Sequence, residues 1–114
     1  MEPNNIVLIN LDGDESMGNL KEEILVAYDI VDTKIRNKVF ESLKDYGLVP
    51  IQKSVFWGEV LKAERLAVER LMQDELDKEV DKVFIVKVSM MSLNNMFAIG
   101  YSSEEFEIYE YGTI

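Results

Sequence analysis

ILVAYDIVDTKIRNKVFESLKDYG, running from Ile24 to Gly47, decides the fold. Its first seven residues, Ile24 to Ile30, form an apolar run rich in β-branched side chains, bounded by acids and too short for a helix, so they predict a strand. Alternation places Ile24, Val26, Tyr28 and Ile30 on one face and Leu25, Ala27 and Asp29 on the other. Asp32 follows as a helix N-cap. From Thr33 to Tyr46, the apolar residues Ile35, Val39, Phe40, Leu43 and Tyr46 fall in one sector of a 3.6-residue helix. Lys34, Lys38, Glu41, Lys44 and Asp45 fall opposite. Gly47 supplies the stop.

Downstream, Leu48 to Gln52 and Ser54 to Val60 read as two short strands, with Pro50 marking an edge or a bulge in the first. A second helix is expected over Lys62 to Lys78. Its apolar residues divide between one stripe at Ala63, Leu66, Ala67 and Leu71 and another at Val68, Met72 and Leu76, so two-sided packing is open to it. Lys82 to Met90 is a strand with Val83 and Ile85 on one face and Phe84, Val86 and Val88 on the other. After a turn at Asn94 and Asn95, Phe97 to Tyr101 and Phe106 to Tyr111 are shorter strand candidates. The class is therefore α+β, a ferredoxin-like βαββαβ order with one or two additional C-terminal strands. Residues 1–23 form an acidic N-terminal extension, 24–101 the domain, and 102–114 an acidic strand or tail; Ile6 to Leu11 is a further strand candidate.

Two helices cover one face of such a sheet, yet the first and fourth strands are apolar on both parities. A second copy packed sheet to sheet about a two-fold axis covers the other face with one self-complementary patch. A homodimer is the expectation.

The 114 residues include neither cysteine nor histidine, which excludes thiol nucleophiles, disulfides, Cys/His zinc sites and imidazole catalysis. Ser54 thus has no histidine to activate it. No secretory signal or membrane span is readable, and the expected location is cytoplasmic. Net charge is -10, which argues against a grip on phosphates until its distribution is considered. Residues 1–24 and 102–114 carry most of the excess. Between residues 34 and 70, eight bases (Lys34, Arg36, Lys38, Lys44, Lys53, Lys62, Arg65, Arg70) face five acids (Glu41, Asp45, Glu59, Glu64, Glu69), a local net of +3.

Asp29 ends an otherwise apolar strand. Across a two-fold through that face it would meet its symmetry mate, and two carboxylates partly out of water need a proton or a cation. Mg²⁺ or Mn²⁺, which take oxygen ligands and need only one or two carboxylates, suit the position. The competing reading makes Asp29 or Asp32 a helix cap. Arg36 borders the apolar sector in the first helical turn, where a cation opposes the helix dipole. It is either aimed at Asp29 or a phosphate, or snorkelling over apolar neighbours. Lys34 and Lys38 could track a phosphate backbone or simply be solvated. Phe56 and Trp57 send one ring to each sheet face, for core packing or for stacking on a base.

The segment YDIVDTKIRNK (Tyr28 to Lys38), with DYG (Asp45 to Gly47) and QKSVFWGE (Gln52 to Glu59), resembles the small CRISPR-associated endoribonuclease family, the ferredoxin-like subunits of the spacer-acquisition complex. The resemblance covers about residues 24 to 101. It implies a homodimer in which Asp29 faces its mate and binds a divalent metal. Tyr28, Arg36, Ser54 and Phe56 match family positions at the nucleic-acid site. It also implies two roles: metal-dependent cleavage of single-stranded RNA or duplex DNA, and bridging of CRISPR integrase pairs while supporting prespacer DNA. The bridging role is the leading expectation. A metal-dependent phosphodiesterase is the second, with Asp29 and Arg36 catalytic, and a toxin-like ribonuclease of related fold is the third. Many members carry two adjacent arginines where this chain has Ile35 and Arg36. The acidic tail, with Phe106, Ile108, Tyr109 and Tyr111 among glutamates, resembles the family's C-terminal strands, which contact the integrase.

Overall fold

The computed structural model describes residues 20–89 and 97–101. Six elements follow in order: β1 (Lys21–Asp29), α1 (Thr33–Asp45), β2 (Val49–Gln52), β3 (Val55–Leu61), α2 (Lys62–Glu75) and β4 (Lys82–Lys87). The sheet order is β2-β3-β1-β4, with every neighbouring pair antiparallel. This is the expected α+β, ferredoxin-like arrangement; among the described residues β1 and β3 are central and β2 and β4 lie at the edges.

Alternation in β1 sorts its side chains as expected. Ile24, Val26 and Tyr28, followed by Ile30, are buried in one cluster with Val39 and Leu43 of α1, Leu48 just ahead of β2, Phe56 and Val60 of β3, and Val68 and Met72 of α2. Val83 and Ile85 of β4 pack against the same cluster. The helices lie on this face. The opposite face carries Leu25, Ala27 and Asp29, with Phe84 and Val86 directly across from Ala27 and Leu25. Phe84 remains 58% exposed and Val86 40%.

Local signals set the boundaries. Asp32 caps α1, its Oδ2 accepting from Ile35 N at 2.9 Å. At the other end Gly47 N donates to Lys44 O at 2.9 Å and Leu48 N to Leu43 O at 3.1 Å. Together with φ +91° at Gly47, this is the double hydrogen bond that ends a helix through a left-handed residue. Leu48 and Leu43 are both buried beneath it. Pro50 lies on an edge strand and also at a register irregularity between Pro50 and Gln52, so both expectations for it hold.

β1 begins at Lys21, three residues before the apolar run. Acids are poor strand formers, but here long-range partners override propensity. Arg65 is 1% exposed on α2; its Nε donates to Glu22 Oε1 at 2.5 Å and its Nη1 to Glu69 Oε2 at 2.6 Å. Glu23 Oε2 accepts from Trp57 Nε1 at 2.7 Å.

α2 ends at Glu75, short of Lys78. Asp81 Oδ2 accepts from Asp77 N and Asp77 Oδ1 from Glu79 N, offering the backbone a turn in place of further helix. β4 likewise ends at Lys87, with Val88 and Ser89 beyond the strand. Phe97–Tyr101 is not a strand. Gly100 there has φ +90°, left-handed rather than extended backbone. The candidates at Ile6–Leu11 and Phe106–Tyr111, and the turn at Asn94 and Asn95, lie outside the described residues, as do Ile108 and Tyr109. No helix among the described residues is long and apolar enough to cross a membrane.

Candidate nucleic-acid and metal site

The end of β1 and the loop into α1 gather most of the singled-out residues. Asp29 is the last residue of the strand, exposed, on the helix-free face. Among the described residues no hydrogen bond or ion pair holds its carboxylate, and the capping role falls to Asp32 alone. Directly across the ladder from Asp29 stands Lys82, the first residue of β4 and also exposed.

The loop that follows Asp29 is clasped from two sides. Arg36 Nη1 donates to Ile30 O at 2.8 Å and Val31 O at 3.3 Å, and Nη2 donates to Thr33 Oγ1 at 3.1 Å. Asp81 Oδ1 accepts from Val31 N at 2.9 Å. The guanidinium is therefore folded onto the carbonyls of its own loop; it makes no ion pair with Asp29. Neither reading from the sequence, a reach to Asp29 or simple snorkelling, describes it fully. Its unfavourable place in the first helical turn is offset by these carbonyl dipoles, which accept hydrogen bonds from a charged donor.

Tyr28 is 7% exposed, on the core side of β1. Burial pushes its phenol above the ordinary value of 10.0, against the opposing pull of the Arg36 charge. Its ring stacks on Phe56 at 6.3 Å between centroids, and Phe40 meets Phe56 edge-on at 5.2 Å. Phe56 is completely buried in this aromatic cluster. Two readings were open for Phe56, core packing or a base platform, and the ring makes packing contacts with Tyr28 and Phe40. Trp57, across the ladder from Leu25 and so on the opposite face, is also fully buried.

Ser54 occupies the two-residue turn between β2 and β3 with φ 67°. Its carbonyl accepts from Tyr28 N at 3.0 Å, which brings it beside the end of β1 through its backbone. Lys34 is exposed on α1, while Lys38 Nζ is tied to Glu75 Oε2 at 2.5 Å. The basic region expected between residues 34 and 70 is thereby reduced, since Arg65 is buried in its ion pairs, Lys38 is neutralised by α2, and Arg36 is turned inward.

No group of three potential metal ligands occurs among the described residues. Two Asp29 side chains brought together would match the oxygen preference and low protein-ligand number of Mg²⁺. Lys82 and Asp81 were missed by reading the sequence. The register of β1 against β4 would have found Lys82, whereas nothing local marks Asp81 as a partner for Val31 N, 50 residues away.

The family model for CRISPR associated protein Cas2 matches residues 23–96. Among curated relatives, CRISPR-associated endoribonuclease Cas2 1 of Francisella tularensis subsp. novicida is 44% identical over 96 residues, covering 83% of this chain and 98% of its own. CRISPR-associated endoribonuclease Cas2 of Korarchaeum cryptofilum is 40% identical over 83 residues, 73% of this chain and 87% of its own. Among solved structures, Streptococcus pyogenes Cas2 superposes with a TM-score of 0.59 at 24% identity, covering 68% of this chain and 99% of that one, a likeness of fold. A central β1 ending in an exposed aspartate, the loop clasped behind it and the extent of these matches agree, and the chain belongs to the CRISPR-associated Cas2 family.

Proposed function

We propose that the chain acts in CRISPR adaptation as a homodimer, joined through its helix-free sheet faces, with a divalent-metal-dependent endonuclease site at the paired Asp29 residues. The observation that carries this reading is the company Asp29 keeps: an exposed carboxylate without a partner among the described residues, at the rim of a face where Phe84 and Val86 are left 58% and 40% exposed. Contiguous apolar surface of this kind fits association with a like surface. The names of the relatives, which call them endoribonucleases, support the activity. Single-stranded RNA and duplex DNA are the two substrate classes.

Asp29 from each chain would hold Mg²⁺ or Mn²⁺, and the bound ion would supply charge neutralisation at a phosphodiester and activation of water for its hydrolysis. The chain's own contribution is placement. Arg36 and Asp81 fix the loop directly after Asp29 from its carbonyl and amide sides, so the carboxylate projects from an anchored strand end. Preorganisation of this kind spares reorganisation when charge develops during reaction.

Cleavage of labelled RNA and duplex DNA, with Mg²⁺ or EDTA, in wild type and Asp29→Asn tests the site. Loss of metal-dependent cleavage in Asp29→Asn is expected, and equal activity in the two proteins would refute it.

A second reading, in which the dimer bridges CRISPR integrase subunits and supports prespacer DNA without cutting it, is favoured by the inward commitment of Arg36 to the carbonyls of Ile30 and Val31. Co-elution with the integrase and prespacer duplex, retained by Asp29→Asn, is its expected result. Truncation of residues 102–114, which include Phe106, Ile108, Tyr109 and Tyr111, should weaken it.

A further inference from the structure

We infer that Lys82 is the phosphate-gripping cation of the Asp29 site, an inference that rests on the nuclease reading above. Three observations support it. Lys82 is the direct cross-strand partner of Asp29, so the two side chains share one face of the sheet, with β-carbons about 5 Å apart in such a pair. Both are exposed, and among the described residues neither is held in an ion pair or by a side-chain hydrogen bond. The arginine that the sequence nominated for phosphate instead spends its guanidinium on Ile30 O, Val31 O and Thr33 Oγ1.

A carboxylate that takes a cation cannot by itself attract a polyanion, and an ammonium on a flexible four-carbon stem beside it supplies that attraction as a mobile point charge. The position also explains why Asp29 and Lys82 are not locked together. Exposed cross-strand pairs gain little from direct contact in water, so the ammonium is available to a phosphate laid across the strand ends. Lys34, exposed on α1 with its neighbour Lys38 paired to Glu75, has no comparable relation to Asp29 in the register.

The test uses the full-length chain and fluorescein-labelled duplex DNA and single-stranded RNA, with anisotropy measured in EDTA over a series of salt concentrations. Lys82→Gln should weaken binding several-fold to both, irrespective of sequence. On duplex DNA the slope of log affinity against log salt should shrink by about 0.9 for each phosphate that is no longer neutralised. Lys82→Arg should retain wild-type behaviour. An unchanged melting temperature in Lys82→Gln, expected for an exposed side chain outside the core, assigns the weakening to binding.

Wild type that binds neither nucleic acid would overturn the functional reading along with this one. Wild type that binds and cleaves, beside a Lys82→Gln variant with the same affinity and salt slope, would overturn this inference alone. So would a Lys82→Gln variant with unchanged nucleic-acid binding and tighter Mn²⁺ binding, which would make Lys82 a counter-ion to Asp29.

Discussion

Replacing Phe84 by alanine isolates the helix-free face. The side chain is 58% exposed and lies outside the core cluster, so its truncation leaves packing between sheet and helices intact. An aromatic side chain buries ~200 Å² when fully covered, which leaves ~115 Å² of Phe84 for a second chain to cover. At ~25 cal/mol per Å² this is worth ~3 kcal/mol, of which alanine forfeits ~2 kcal/mol. The two-fold repeats the loss, giving ~4 kcal/mol per dimer, or about a thousandfold in dissociation constant. Analytical ultracentrifugation across nanomolar to high micromolar concentrations measures it directly, and far-UV circular dichroism reports whether the fold is kept. A Phe84→Ala protein with wild-type self-association, or a wild type that stays monomeric at micromolar concentration, would refute sheet-to-sheet pairing.

Arg65→Ala leaves Glu22 and Glu69 facing each other without their cation and should cost about 3–5 kcal/mol by urea unfolding, the usual penalty for orphaning buried charge. Asp81→Ala removes the acceptor for Val31 N and Asp77 N; a loss of about 1–3 kcal/mol is expected, with faster amide exchange at Val31. Tyr28 has its pKa raised on folding, chiefly by burial, so its neutral form is the one the fold favours. Its contribution is therefore complete below the unfolded value of 10.0 and is lost as pH climbs through the folded value. Tyr28→Phe should flatten the fall in stability above about pH 10, and a profile identical to wild type would contradict this.

Much of the fold was readable because its signals are local. The β-branched run Ile24–Ile30, the helical spacing from Ile35 to Leu43, the stop at Gly47 and the irregular edge at Pro50 each act within a few residues and agree with one another. Double parity in β4 likewise announced a strand whose second face, with Phe84 and Val86, is left uncovered by helices. The opposite parities of Phe56 and Trp57 were also correct, although both rings are buried.

What the sequence withheld depends on partners far along the chain or on the backbone itself. Arg65 counted as part of a basic region, yet its charge is matched by Glu22, 43 residues earlier. Lys38 meets Glu75 across the helix pair, 37 residues away. Arg36 was expected either to face a carboxylate or phosphate or to snorkel over apolar neighbours, and its actual acceptors are main-chain oxygens and a threonine hydroxyl, which carry no distinctive sequence signal. Phe97–Tyr101 had the apolar content of a strand but forms none, and its Gly100 is left-handed. For the site, the strand-end position of Asp29 followed from alternation. Its pairing with Lys82 needed the register between β1 and β4.

Titration of the full-length protein with Mn²⁺, followed by electron paramagnetic resonance, tests most directly whether two Asp29 side chains share one ion. One tightly bound ion per two chains, lost in Asp29→Asn, is the predicted result; one ion per chain, or binding that survives the substitution, would contradict it.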